Sequence, residues 1–247
     1  SILHFRKAIP GGKLLVVAYD ETTMDWCRDQ PSQGLRCEKA ERDFGLYCRS
    51  LDATKKAAKD SNLQANRLFQ ICRFAIVYYV MKAQFNVFWL DMDSVLLHDP
   101  LPLVWDAAWL GQGVDWVGAC HVAPNGGARQ QLNIGVMFMK WGPMTRLVGK
   151  ASLYKMYYSS EGRRVTDQVL FTELMEKYNI KTKCLPLTED GMSCNQKYWR
   201  PRWPAPAIWN LHVACTPNVG GGKTLADKKL GKKHWLQLYN AWLPGVT

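Results

Sequence analysis

No stretch of the 247 residues approaches the roughly 20 apolar residues in succession that a membrane-crossing helix requires, so none is expected within the chain. Cysteine pairs at zinc-knuckle spacing are also missing. None of the eight cysteines stands in a Cys-x-x-Cys, which favours disulfides in an oxidising compartment over a metal knuckle. Acidic residues are in short supply, 21 against 32 basic ones, and the resulting +11 favours polyanions, anionic surfaces or phosphate-rich ligands without choosing among them. Gly220-Gly221-Gly222-Lys223 lacks the Walker spacing and the strand that should precede it, which argues against a P-loop. No nucleic-acid-binding module is recognisable, and neither an internal repeat nor a linker divides the chain. The length suits one large domain with a sizeable core. The chain starts at Ser1 with neither Met nor a signal-peptide pattern, so a trimmed domain is expected, with any anchor outside it.

What is present is led by the segment from Phe85 to Leu97, where an apolar run ends in two carboxylates one residue apart, Asp91 and Asp93. Positions i and i+2 of an extended chain point the same way, so the pair can converge on one divalent cation. Hard oxygen ligands suit Mn2+ or Mg2+, which bridge to phosphate oxygens. A bare turn cap is the simpler reading. The apolar run before the pair argues against it, because it puts both acids at the carboxyl end of a buried strand, where ligands of open α/β sheets bind.

Elsewhere the pattern alternates strand and helix. Lys13–Tyr19 reads as a strand, 20–50 as loop or short helix, Asp52–Lys82 as one long helix and Asn86–Asp91 as the next strand, a parallel β-α-β arrangement. A short amphipathic piece at Leu103–Leu110 precedes strands at Trp116–Cys120 and Leu132–Lys140, separated by a loop at His121–Gln131. Helices at Pro143–Tyr158 and Asp167–Tyr178, strands at Ile180–Leu185 and Ala207–Val213, and a basic C-terminal helix complete an α/β chain. Lys223, Lys228, Lys229, Lys232 and Lys233 make the densest basic patch, either a solvated helix face or a site near phosphates or a membrane. Cys27, Cys37 and Cys48 sit in a polar, turn-rich stretch. Cys184 and Cys194 are placed to close a small loop, and Cys72 reads equally well as a buried thiol.

Several residues can be assigned chemistry on physical grounds. Asp93 is the better candidate for direct metal contact and Asp91 for a partly supporting or ribose-contacting role, with His212 able to complete the site through an imidazole nitrogen. Asn133 and Gly135 interrupt an apolar strand where close approach by a sugar, or a bulge, explains them. Asp167 and Gln168 open a helix, where they can serve as N-terminal caps. Arg67 can reach a pyrophosphate with its fork, and Lys223 can cradle phosphate beside its glycines. Trp199, Trp203 and Trp209, interleaved with Arg200 and Arg202, pack a core or offer ring faces to an acceptor sugar, with Trp199 and Trp203 the acceptor candidates.

Phe88-Trp89-Leu90-Asp91-Met92-Asp93-Ser94-Val95-Leu96-Leu97-His98-Asp99-Pro100 resembles the signature of the nucleotide-diphospho-sugar transferases that include plant cell-wall xylosyl-, galactosyl- and arabinosyltransferases. Leu132–Phe138 resembles that family's Asn-x-Gly strand, Thr166-Asp167-Gln168 its Asp-Gln helix start, and His212, Lys223 and His234-Trp235 its closing region, so the resemblance runs over roughly residues 63–236. It implies a GT-A-like, Rossmann-related fold with a mixed, mostly parallel central sheet flanked by helices on both faces, and a part in donor-sugar recognition for Asp167 and Gln168. One catalytic domain would span 1–247, its nucleotide-binding part at about 13–120 and its sugar and acceptor part at about 121–247. The implied reaction moves a sugar from a UDP-sugar to a hydroxyl of a glycan or peptide, with Mn2+ or Mg2+ and retention of configuration, in the lumen of the Golgi or endoplasmic reticulum. The cysteine-rich N-terminal stretch and the Tyr198–Trp209 segment depart from that pattern and leave the acceptor open.

Two other readings compete. Leu90–Leu96 also resembles the nucleophile strand of haloacid-dehalogenase-type phosphatases, but such enzymes need a later acidic pair, and after Asp93 only scattered acids follow. A carbohydrate-binding module that kept the fold without turnover would use the same tryptophans and charge.

Overall fold

The computed structural model describes residues 2–30, 34–40, 47–48, 65–91, 94–102, 113–121, 131–158, 165–185, 190–192 and 210–212. In chain order these form α1 (Ile2–Ala8), β1 (Leu14–Ala18), α2 (Glu21–Arg28), β2 (Leu35–Lys39), α3 (Ala65–Lys82), β3 (Val87–Leu90), β4 (Ser94–Leu96), β5 (Trp116–His121), β6 (Gln131–Met139), α4 (Pro143–Tyr158), α5 (Asp167–Lys177), β7 (Thr182–Cys184), β8 (Asp190–Met192) and β9 (Asn210–His212). The described chain falls into two compact units, each built from separate stretches of sequence.

The unit made of residues 11–87 and 139–182 is mainly helical. α3 has no proline or glycine, and it buries Ile71, Cys72, Phe74, Ala75, Val77 and Met81 on one broad face. α4 packs on α3 and α5 packs on α4. Phe74 of α3 stacks on Phe171 of α5 with ring centres 5.9 Å apart. Pro143 opens α4, where its missing N–H costs nothing, and the Thr166 hydroxyl caps α5 by accepting from Val169 N at 3.3 Å. α3 ends in a left-handed residue, Gln84 at φ 66°, and Phe85 N closes back onto Val80 O at 3.2 Å.

In the same unit β1 pairs in parallel with β2, Leu14 opposite Leu35 through to Ala18 opposite Lys39. β2 lies in the stretch read from sequence as loop or short helix. Its Leu-Arg-Cys-Glu-Lys run is too short and polar to announce a strand. It is held instead by β1, by the Cys27–Cys37 disulfide and by the Lys39–Glu21 ion pair to α2. Cys48 bonds to Cys72, so Cys72 is not the buried thiol that sequence left open.

The other unit, residues 1–10, 88–138 and 183–247, holds the remaining sheets. One has the order β3-β6-β5-β7. β6 is apolar almost throughout and buried from Leu132 to Met139, as a strand covered on both faces must be. Gly118 of β5 allows close packing there, since a Cβ at that position would stand 2.7 Å from the Trp116 ring and 2.8 Å from Val136 O. Cys120 of β5 bonds to Cys184 of β7, which corrects the small loop expected between Cys184 and Cys194. No cysteine among the described residues is unpaired. The second sheet has the order β4-β9-β8, with β4 and β9 antiparallel and β8 and β9 parallel. α1 packs on β4. The basic C-terminal helix expected from sequence lies outside the described residues.

Candidate functional site

β3 delivers its last apolar residue, Leu90, directly to Asp91, and the backbone there is held from two directions. Asp91 N donates to Gly135 O of β6 at 2.7 Å, and Ser94 N donates to Asp91 O at 2.9 Å, tying Asp91 to the start of β4. Gly135 is itself braced, because its N–H donates to Asn133 Oδ1 at 2.8 Å, with Asn133 only 2% exposed. The Asn-x-Gly interruption thus shapes the strand that anchors Asp91. The indole Nε1 of Trp89 donates to Asp91 Oδ1 at 2.7 Å and orients the carboxylate. Met92 and Asp93 lie outside the described residues, but the chain enters and leaves them at fixed points.

The register of β4 against β9 brings a second expected residue to this place. Ser94, immediately after the Asp-x-Asp, stands opposite His212, which sets their Cα atoms about 5 Å apart. The His212 side chain lies outside the described residues. Ser94, Leu96 and Asn210 share one face of this ladder, since directly opposed residues and alternate positions point the same way. Ser94 Oγ and both polar atoms of the Asn210 side chain are buried without a hydrogen-bond partner among the described residues. Each such atom costs about 1–3 kcal/mol if nothing satisfies it, so the ladder holds polar groups ready for a ligand or ordered water. Sequence reading missed both residues. A polar side chain two places before His212 in an otherwise apolar strand, and a serine directly after the acid pair, were the available signals.

An oxygen-rich set of Asp91 and Asp93 with an imidazole at His212 suits a hard divalent cation. Among the described residues no three metal-ligating side chains form a cluster. The donors that would complete such a set, Asp93 and the His212 imidazole, are among those not described.

The helical unit carries Arg67, Asp167 and Gln168. Asp167 is 4% exposed. Its Oδ2 accepts from Arg73 Nη1 at 3.3 Å and its Oδ1 from Gln168 N at 3.0 Å. Burial raises the Asp167 pKa above its ordinary value, and the charges of Arg73 and Arg67 with the Gln168 N–H offset only part of that rise. Arg67 Nη1 lies 3.4 Å from Met156 Sδ. Gln168 Oε1 is buried and has no hydrogen-bond partner among the described residues. Lys223, Trp199 and Trp203 lie outside the described residues.

A depression of about 520 Å³, lined by Lys13, Leu14, Gly34, Leu35, Arg36 and Phe85 among others, opens at the amino ends of β1 and β2. Ligands of open α/β sheets bind at the carboxyl ends. The depression is therefore not the site described here.

The fold is that of a GT-A-type glycosyltransferase: the crystal structure of mouse xyloside xylosyltransferase 1 in its apo form superposes with a TM-score of 0.50, covering 82% of this chain and 84% of that one at 14% identity. The family model for nucleotide-diphospho-sugar transferases matches residues 12–225. The chain belongs to that family and is a glycosyltransferase, which decides against the phosphatase reading of the Asp-x-Asp. No curated protein matches it significantly in sequence.

Proposed function

We propose that the protein transfers a sugar from a UDP-sugar to a hydroxyl of a glycan or glycoprotein, using Mn2+ or Mg2+ held by Asp91, Asp93 and His212. The observation that carries this reading is the double tether of Asp91, to Gly135 of β6 and to Ser94 of β4, with Ser94 opposite His212. A rigidly presented acid beside a histidine-bearing strand is what a metal-diphosphate site requires. When bound, the cation neutralises charge on the departing diphosphate. Trp89 keeps the Asp91 carboxylate aimed. Asn133 acts through Gly135 as a brace, and Gly135 leaves room for the donor. Gln168 offers its Oε1, which has no partner among the described residues, to a sugar hydroxyl, and Asp167, tied by Arg73, positions the helix start that carries it. Arg67 and Lys223 contribute positive charge toward the diphosphate, and Trp199 and Trp203 offer ring faces to the acceptor.

We carry the chain as one catalytic domain, with the nucleotide read by the part at about 13–120 and the sugar and acceptor by the part at about 121–247. Departure of UDP with attack from the same face, hence retention, fits a site with no evident protein nucleophile. Three disulfides among the described residues support an oxidising compartment, and we place the protein in the Golgi or endoplasmic reticulum lumen.

Thermal shifts with UDP, GDP and free sugars, with and without Mn2+, test the reading. UDP should stabilise the protein only when Mn2+ is present, and Asp93→Ala should lose both that shift and UDP release while keeping its circular dichroism. Full activity in Asp93→Ala would sink the metal assignment. No nucleotide response at all would favour a binding module that has lost turnover.

A further inference from the structure

α4 carries an exposed row at spacing four, Arg146, Lys150, Tyr154 and Tyr158, which runs about 18 Å along the helix. Tyr154 is 46% exposed and Tyr158 56%. Lys150 Nζ sits 5.7 Å from the Tyr154 ring centre. The aromatic end is thickened by neighbours: Tyr154 and Tyr158 rings lie 5.4 Å apart, Tyr157 meets Tyr158 edge-on at 4.7 Å, and Tyr47 meets Tyr157 edge-on at 5.1 Å. Burial, then the hydrogen bond with Tyr158, pushes the Tyr47 phenol up to about 12, so that hydroxyl stays neutral at physiological pH.

The charged side chains of α4 and α3 are all positive, while α5, which packs on α4, adds Asp167, Glu173 and Glu176. Neither α4 nor α3, on which it packs, contains a single Asp or Glu, while Arg146, Lys150 and Lys82 are exposed. None of these three has an ion pair among the described residues. The opposite side of α4 already spends its apolar residues in the core through Val148, Leu153 and Met156. The exposed aliphatic residues, Met144 and Leu147, are confined to the helix start. No continuous greasy stripe is left to enter a lipid layer.

We propose that this row is a docking face for an acidic glycan. Sugar rings lie on the Tyr154 and Tyr158 faces, whose phenol rims meet hydroxyl groups, and ring carboxylates or sulfates pair with Lys150 and Arg146. The proposal rests on the reading that the acceptor is a glycan, and it names that glycan as anionic and extended. The four residues are distinct from those assigned to the donor and metal.

Affinity electrophoresis of the whole chain through gels containing polygalacturonate, dextran sulfate or neutral dextran, without UDP-sugar or metal, reads the interaction directly. At least one of the two acidic polymers should retard the protein, and which one does distinguishes carboxylate from sulfate recognition. Dextran should not retard it. Lys150→Glu should weaken retention about tenfold, and Tyr154→Ala with Tyr158→Ala by about three- to tenfold, with circular dichroism unchanged. Wild-type retention in all these variants overturns the proposal. Loss with Lys150→Glu but not with the tyrosine pair reduces it to nonspecific charge attraction and overturns it too. So does cosedimentation with phosphatidylserine vesicles that the same variants abolish, which would make the row a membrane contact. The electrophoresis contains no donor and reads docking alone, so retention there with no transfer in a separate assay supplied with UDP-sugar and Mn2+ would count against the catalytic reading and leave the docking face intact. Transfer without binding would do the reverse.

Discussion

Asp167 shows how a side chain that looks like a simple helix cap becomes an electrostatic element once buried. Both of its oxygens are engaged, by Arg73 and by the Gln168 N–H, yet burial outweighs them and its pKa is raised. The folded state then holds the Asp167 proton more tightly than the unfolded chain does, so this residue's contribution to stability falls as pH rises from about 3.8 through the raised folded value. Replacement by Asn removes that dependence. Urea midpoints measured between pH 3.5 and 7 should show Asp167→Asn gaining on the wild type as pH rises, and a gap that moves the other way would mean that Arg73 dominates. At this scale the sequence made Asp91, Asp93, His212 and Gln168 visible as candidates, because their types and neighbours are unusual locally. It did not reveal Ser94 and Asn210, whose buried, unpartnered atoms emerge only from the β4–β9 register.

Among the elements, those with a long period were legible and the shortest strands were not. α4 spans Pro143–Tyr158 as its pattern predicts, and α5 and β6 fall within a residue or so of their expected bounds. β2, β4 and β8 have five residues or fewer and owe their existence to the strands beside them, so no local pattern marks them. β5 is legible as a strand but not in its tight packing. Gly118→Ala would drive a methyl against the Trp116 ring and Val136 O, one of them backbone that cannot step aside. It should cost about 1–3 kcal/mol, read as a lowered denaturation midpoint with the fold retained. An unchanged midpoint would show that β5 and β6 can separate at no cost.

At the scale of the whole molecule the disulfides distribute covalent restraint within the units. Cys27–Cys37 and Cys48–Cys72 lie in the helical unit and Cys120–Cys184 in the other. Loop-closure entropy predicts about 4 kcal/mol for the bridge whose cysteines are 64 positions apart and about 3 kcal/mol for the one whose cysteines are 10 apart. Single replacements of each pair by Ser should therefore destabilise in the order Cys120–Cys184, Cys48–Cys72, Cys27–Cys37 in urea titrations. The reverse order would place the effect in native-state strain instead.

The sequence by itself determined the class of fold, the place of the acid pair at the end of an apolar strand, the use of cysteine in disulfides and the family, since each is encoded in residue types and their spacing along the chain. Only the tertiary structure decided that Cys120 meets Cys184, that Ser94 stands opposite His212, that the Asn-x-Gly strand braces Asp91, and that a tyrosine cluster completes a carboxylate-free helix face. Burial periodicity is a property of neighbouring residues, whereas register and pairing are settled by contacts between residues tens to more than a hundred positions apart.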